Sequence, residues 1–213
     1  MIGIIDYGMG NLYSVSKALE RLEYDYFISE NPEELQKAKG YILPGVGSFK
    51  DAMEALNNQG LTSFIQSEVK AGKPILGICL GMQLLYEESD ENGLTSGLGL
   101  LAGRVARFKG VTESGERYKV PHMGWNVLDF QQSSPLLKQM DPGHVYFVHS
   151  YYATGTQQEE VIATSSYDVD VPAIVGKGHV FGTQFHPEKS SHLGMSILRN
   201  YANFVEEGGN RDE

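Results

Sequence analysis

The chain has 213 residues, 41% hydrophobic and 21% charged, which fits one soluble globular domain with a substantial core. A formal net charge of -10 argues against a nucleic-acid or anionic-membrane binder. The single cysteine excludes an internal disulfide and a cysteine-rich zinc site. No apolar run approaches the roughly 20 residues of a membrane helix, and the first residues lack the basic and apolar regions of a secretion signal. The expected setting is therefore the cytoplasm.

Residues 2–6 read as a strand buried on both faces. The tight turn over residues 7–11 leads into a helix with Leu12, Val15, Leu19 and Leu22 on one face. Residues 24–29 form a second strand. Asn31-Pro32-Glu33-Glu34 then has the signature of a helix start, with a cap, a proline and an early acid. A third strand over residues 41–43 ends in Pro44-Gly45-Val46-Gly47-Ser48. Helices are expected over 49–56 and 61–71, before a strand leading to Cys79. This β-α alternation predicts a doubly wound, mostly parallel sheet in a three-layer α/β sandwich, flavodoxin-like in plan.

After about Glu88 the pattern changes. Residues 93–99 read as a glycine-rich loop, and 103–130 alternate like twisted antiparallel strands. Further short β segments are expected at 144–153, 161–167 and 173–176, a late strand at 178–186 and a closing helix at 193–205. The expectation is one domain over 1–207 with an antiparallel extension, and a polar, frayed tail over 208–213.

Gly77-Ile78-Cys79-Leu80-Gly81 carries the strongest chemical signal. A strand runs into Cys79 and a helix leaves at once, which is the cysteine counterpart of the nucleophile elbow. The glycines allow the two arms to approach, and a helix N-terminus favours negative charge on the sulfur. A lone cysteine in an apolar stretch is otherwise a small buried hydrophobe. Pro44-Gly45-Val46-Gly47 lies at a parallel strand's C-terminal end, where its N–H groups can cradle an oxyanion, although alone it reads as a plain turn. In His186-Pro187-Glu188 an extended backbone would put the imidazole and carboxylate on one side, leaving the second ring nitrogen for a thiol. Elsewhere such a pair is a surface ion pair. A metal site with one thiolate and no paired histidines fits poorly. The turn Gly8-Met9-Gly10 fails as a dinucleotide fingerprint, because Tyr13 stands at the third glycine position.

Elbow, cradle and His-x-Glu together are the parts that acyl transfer requires. Residues 77–83 and Phe185-His186-Pro187-Glu188 resemble the signatures of class I glutamine amidotransferases. Within that family, residues 5–12, 43–49, Pro121-His122-Met123-Gly124-Trp125-Asn126, residues 146–151 and Pro187-Glu188-Lys189-Ser190 are similar to the glutaminase subunits of imidazole glycerol phosphate synthase. The resemblance spans nearly the whole chain. It implies hydrolysis of L-glutamine to glutamate and ammonia without a cofactor or metal. The ammonia would pass to a (β/α)8-barrel synthase subunit that converts the phosphoribulosyl aminoimidazole intermediate PRFAR to imidazole glycerol phosphate and an aminoimidazole carboxamide ribonucleotide (AICAR), in histidine biosynthesis. It further implies Cys79 as nucleophile, His186 as proton shuttle and Glu188 as its orienter. Leu80 and a donor from Gly45, Val46 or Gly47 would hold the oxyanion. Gln83, Glu91, Ser150 and Tyr151 match glutamine-gripping positions. Asn11, His122, Met123, Trp125, Tyr146 and Lys189 match positions at or near the partner-facing surface, although Trp125 and Tyr146 could equally be core aromatics.

Overall fold

The computed structural model describes residues 1–209; residues 210–213, most of the expected tail, lie outside that description. Its first half runs β1 (Ile2–Ile5), α1 (Leu12–Arg21), β2 (Tyr26–Ser29), α2 (Pro32–Leu35), β3 (Gly40–Gly45), α3 (Phe49–Asn58), α4 (Leu61–Lys70), β4 (Ile75–Cys79) and α5 (Leu80–Leu84). Three helices start on side-chain caps, the one at Asn31 as expected from the sequence. Asn11 accepts from the Ser14 N–H at 3.2 Å, Asn31 from Glu33 at 2.8 Å and Ser48 from Asp51 at 3.2 Å. The second half runs β5 (Tyr86–Ser89), β6 (Thr95–Ser96), β7 (Leu101–Arg107), β8 (His122–Val127), β9 (Asp129–Phe130), β10 (His144–His149), β11 (Tyr151–Thr154), β12 (Val161–Ser166), β13 (Asp170–Lys177), β14 (Val180–Thr183) and α6 (Ser191–Glu206).

The main sheet has the order β2-β1-β3-β4-β14-β13-β12-β9. Its first five strands are parallel, in the flavodoxin order, and the last three add antiparallel. Strand periodicity separates two cores. Ile2, Ile4, Ile42 and Leu76 face α1 and α6, whereas Ile5, Tyr41, Leu43 and Ile75 face α3 and α4. This is the expected three-layer α/β sandwich. Smaller sheets, β11-β7-β5-β6 and β10-β8, form the extension between β4 and β14, antiparallel as expected except that β5 and β7 pair parallel.

Several boundaries differ from expectation. Helix α5 is a single short turn, because β5 begins two residues after it ends. The alternation over 103–130 is interrupted between β7 and β8, where the chain turns and retains only the Val111–Arg117 bridge. The segment 144–153 breaks at Ser150 into strands that join different sheets. The late strand stops at Thr183, short of His186. Gly209 is buried, and its N–H donates to the Phe204 carbonyl at 2.8 Å. No helix among the described residues is long and apolar enough to cross a membrane.

The functional end of the sheet is held by glycine. A Cβ on Gly81 would lie 1.8 Å from the Leu43 carbonyl oxygen, and one on Gly77 would lie 2.5 Å from the Gly81 carbonyl oxygen. A Cβ on Gly45 would sit 2.7 Å from the Gly81 nitrogen. Strands β3 and β4 and helix α5 therefore meet backbone to backbone, with no side chain able to yield. Gly81→Ala is expected to destabilise the chain by about 3 kcal/mol or more, since overpacking here must move backbone. Gly93→Ala, whose Cβ meets only open space, should lose about 1–2 kcal/mol from its positive φ alone. Denaturant unfolding of both variants checks this, and equal losses would contradict the packing argument.

Candidate active site

Cys79 ends β4 at φ 56°, ψ -111°, in a region that costs a non-glycine residue on the order of 1–3 kcal/mol. The glycine joint over-determines this conformation. Helix α5 begins at the next residue, so the Leu80 N–H is a first-turn donor with no acceptor inside the helix. His186 follows β14 and is 3% exposed. Its Nδ1 lies 2.9 Å from Glu188 Oε1, and the Glu188 side chain is fully buried. The expected extended geometry holds only for His186, at φ -93°, ψ 100°. Pro187–Lys189 instead form a 3-10 turn, opened by the proline and closed by Lys189 N–H and Ser190 Oγ donating to the His186 carbonyl. The turn, not strand periodicity, brings the carboxylate back to the ring.

Cys79 and His186 line the same cavity, and with Nδ1 taken by Glu188, Nε2 is the nitrogen left to serve the sulfur. Burial pushes the imidazole pKa down. Hydrogen bonds and charge from Cys79 and Glu188 outweigh that and bring it up to about 9. His186 therefore carries a proton at neutral pH, beside the sulfur it can serve.

Cys79 and His186 line a cavity of about 400 Å³, with Glu188 buried behind the imidazole. Val46 and Gly47 form one wall, Leu80, Gln83 and Glu91 another, and Val148 to Tyr151 a third. The Val46 N–H is committed to the Met9 carbonyl at 2.9 Å, and Gly47 takes φ +103°. Glu91 accepts from the Phe49 N–H at 2.7 Å. Burial, with Asp51 and Asp90 nearby, raises its carboxyl above the usual range despite that bond. A strained cysteine, an imidazolium anchored by a buried carboxylate, and helix-start donors around one cavity can carry out acyl transfer through a thioester.

Comparison with known proteins agrees with this chemistry. Residues 3–203 match the family model described as glutamine amidotransferase class-I. The chain belongs to the class I glutamine amidotransferase family. Within it, the chain is 66% identical over 209 residues to the imidazole glycerol phosphate synthase subunit HisH of Geobacillus sp. (strain WCH70), covering 98% of this chain and 99% of the relative. It is 58% identical over 207 residues to the HisH subunit of Bacillus subtilis (strain 168), covering 97% and 98%. Its fold resembles a crystal structure titled glutamine amidotransferase, with TM-score 0.76 and 20% identity over 96% of this chain and 98% of that one. PurLQS from Thermotoga maritima gives TM-score 0.72 at 20% identity, with coverage of 96% and 98%.

In this amidotransferase the residues matched to glutamine binding all line the cavity, but Gln83 is partly spoken for. Its Nε2 donates to the Tyr151 carbonyl at 2.9 Å and to Gln184 Oε1 at 3.1 Å. Gly45 lies behind the wall, packed against the Tyr7 hydroxyl and the Gly81 nitrogen. Among the residues matched to the partner surface, Met123 is 61% and Trp125 51% exposed, so Trp125 is no core aromatic. Trp125 stands 6.0 Å from the half-buried Tyr146, centroid to centroid, and Lys189 is exposed. Asn11 caps α1. His122 corrects the expectation: it is fully buried, because alternation along β8 turns Met123, Trp125 and Val127 outward and His122 inward.

Sequence reasoning missed Gln184 and His149. Gln184 is fully buried, with Nε2 4.0 Å from Cys79 Sγ. It lies two residues before His186, a spacing that could have placed it on the same side. His149 lines the cavity and precedes Ser150, but nothing in its immediate sequence signals a role.

The raised His186 pKa yields a test. An imidazole raised from 6.5 to about 9 contributes stability in full below pH 6.5, and loses it as pH climbs through about 9. In Cys79→Ala the largest upward influence is gone while burial remains. The His186 titration, followed by NMR, is therefore expected to fall well below that of the native chain, and one unchanged near 9 would contradict the assigned cause.

Proposed function

We propose that this chain is the glutaminase subunit of an imidazole glycerol phosphate synthase, and that Cys79, His186 and Glu188 carry the reaction. The observation that bears most weight is His186, protonated and anchored by Glu188, facing the same cavity as the one thiol of the chain. The Cys79 sulfur attacks the side-chain amide carbon of glutamine. Ammonia leaves with a proton from His186, and a thioester remains. Water then gives a proton to His186 and attacks the thioester, and glutamate leaves as the sulfur returns to its starting state beside the protonated His186. The Leu80 N–H and one N–H of the Gly45–Gly47 turn hold the oxyanion. Gln83, Glu91, Ser150 and Tyr151 grip the α-amino and carboxylate groups of glutamine.

The HisH relatives are named as synthase subunits, which supports a heteromeric enzyme here. The partner is a (β/α)8-barrel subunit that takes ammonia and converts PRFAR to imidazole glycerol phosphate and AICAR in histidine biosynthesis. It docks on the exposed apolar stripe Met123, Trp125 and Val127, with Asn11, Tyr146 and Lys189 at or near the edge. Residues 1–207 act as one domain in the cytoplasm.

Partner binding also switches the glutaminase on. With the Val46 N–H held by Met9, the cradle is short of a donor, and losing one such donor costs on the order of 10²–10³ in rate. Partner and acceptor need to favour a reoriented turn by only a few kcal/mol to make it the major state. Glutamine hydrolysis by the isolated chain should therefore be about 10²-fold or more below that of the complex with an acceptor analogue. Cys79→Ala should abolish glutamine-dependent synthesis in the complex and leave ammonium-driven synthesis intact. Full activity of the isolated chain would remove the switch, and normal glutamine turnover by Cys79→Ala would remove the nucleophile.

A further inference from the structure

We propose that His122 and His149 are positioning residues for the glutamine-binding wall, joined in a one-way hydrogen-bond chain from β8 to the Tyr151 carbonyl. This rests on the reading above, in which Ser150 and Tyr151 hold glutamine.

The direction of the chain follows from what each atom can do. A carbonyl only accepts, so His149 Nδ1, 2.8 Å from the Tyr151 oxygen, carries a hydrogen. Burial keeps the His149 ring neutral, with its pKa pushed down to about 3 against the help of that bond; the neighbouring His122 and His186 push it the same way as burial. His149 Nε2 is then an acceptor. His122 Nδ1, 2.9 Å away, must be the donor. His122 is itself fully buried, and burial lowers its pKa too. Its remaining nitrogen, Nε2, is buried without a hydrogen-bond partner, so nothing competes for the direction of the chain. The His122 ring is clamped between Phe147, with centroids 4.5 Å apart at 20°, and Tyr167, at 3.9 Å and 18°. Each imidazole thus has its tautomer set by a neighbour.

The end point matters for substrate. The Tyr151 carbonyl accepts from His149 and from Gln83 Nε2, so both lone pairs are engaged and the peptide plane is fixed. This plane opens β11, one residue after the break at Ser150 where the chain passes from one sheet to another. The two donors add to the pairing of β11 with β7 at the strand's first residue. At the other end, His122 is adjacent on β8 to the exposed Met123. The wall is therefore tied to the strand that carries the proposed docking face.

His122→Phe keeps a stacking ring and deletes the donor. In the complex it is expected to raise the glutamine KM about tenfold, with kcat within about twofold and ammonium-driven synthesis unchanged. His149→Asn, which can still donate to Tyr151, should keep KM within about threefold, whereas His149→Leu should raise it tenfold or more. In the isolated chain, ¹⁵N NMR should find both native imidazoles as Nδ1–H tautomers at neutral pH, with His149 losing that single state in His122→Phe. Should His122→Phe fail to fold, the His149 pair decides the KM arm. A native Nε2–H tautomer at His149, or an unchanged KM in a folded His122→Phe or in His149→Leu, would overturn the proposal. A native complex without glutaminase activity would sink the functional reading alone, and the NMR arm would then decide the chain of bonds.

Discussion

The structure depends on one steric constraint, the backbone contact among Gly45, Gly77 and Gly81. Leu43 and Gly81 approach so closely that no Cβ fits between them. This contact lets α5 start one residue after β4 ends, and it is what holds Cys79 at a positive φ. Packing continues outward from the joint. Met82 of α5 lies against Gly182 of β14, where an added Cβ would come within 2.6 Å of Met82 Cγ. The strand that leads to His186 is thereby set against the helix that follows Cys79. A strained nucleophile and its proton partner are positioned by the same few small residues.

Electrostatics then act on groups already fixed. Burial alone would discharge His186, yet its partners Cys79 and Glu188 raise it. Burial does discharge His149, paired across β10 and β8 with His122, where a carbonyl, the neutral His122 and the charged His186 are its neighbours. Two imidazoles at one cavity therefore take opposite protonation states because one has carboxylate and thiol partners and the other has none. The His186 segment is also tied sideways, since its N–H donates to the Tyr146 carbonyl and Ser190 Oγ accepts from the Tyr146 N–H. The catalytic turn and the Trp125–Tyr146 edge are thus one hydrogen-bonded unit.

Much of this was legible in the sequence wherever a local rule controls the outcome. The cap at Asn31, the doubly apolar strands and the paired glycines around Cys79 each carry a mechanism that needs no tertiary context. The parallel pairing of the early strands followed from the β-α alternation. What stayed hidden depends on distant partners. The inward orientation of His122 depends on which face of β8 is covered, and alternation without a known core cannot choose between faces. The break at Ser150 arises because its flanks join different sheets. The 3-10 turn at Pro187 was open to a proline rule, but an extended reading also put His186 beside Glu188, so two geometries gave one pairing.

The central claim is that the joint presents Cys79 to form a covalent bond with glutamine. The direct measurement is acid quenching of the partner complex during glutamine turnover, followed by mass spectrometry of the intact chain and its peptides. The account predicts a glutamyl adduct, lost on alkaline treatment as a thioester is, on the peptide containing Cys79 and nowhere else. Turnover with no adduct at Cys79, or with the adduct on another residue, would contradict it.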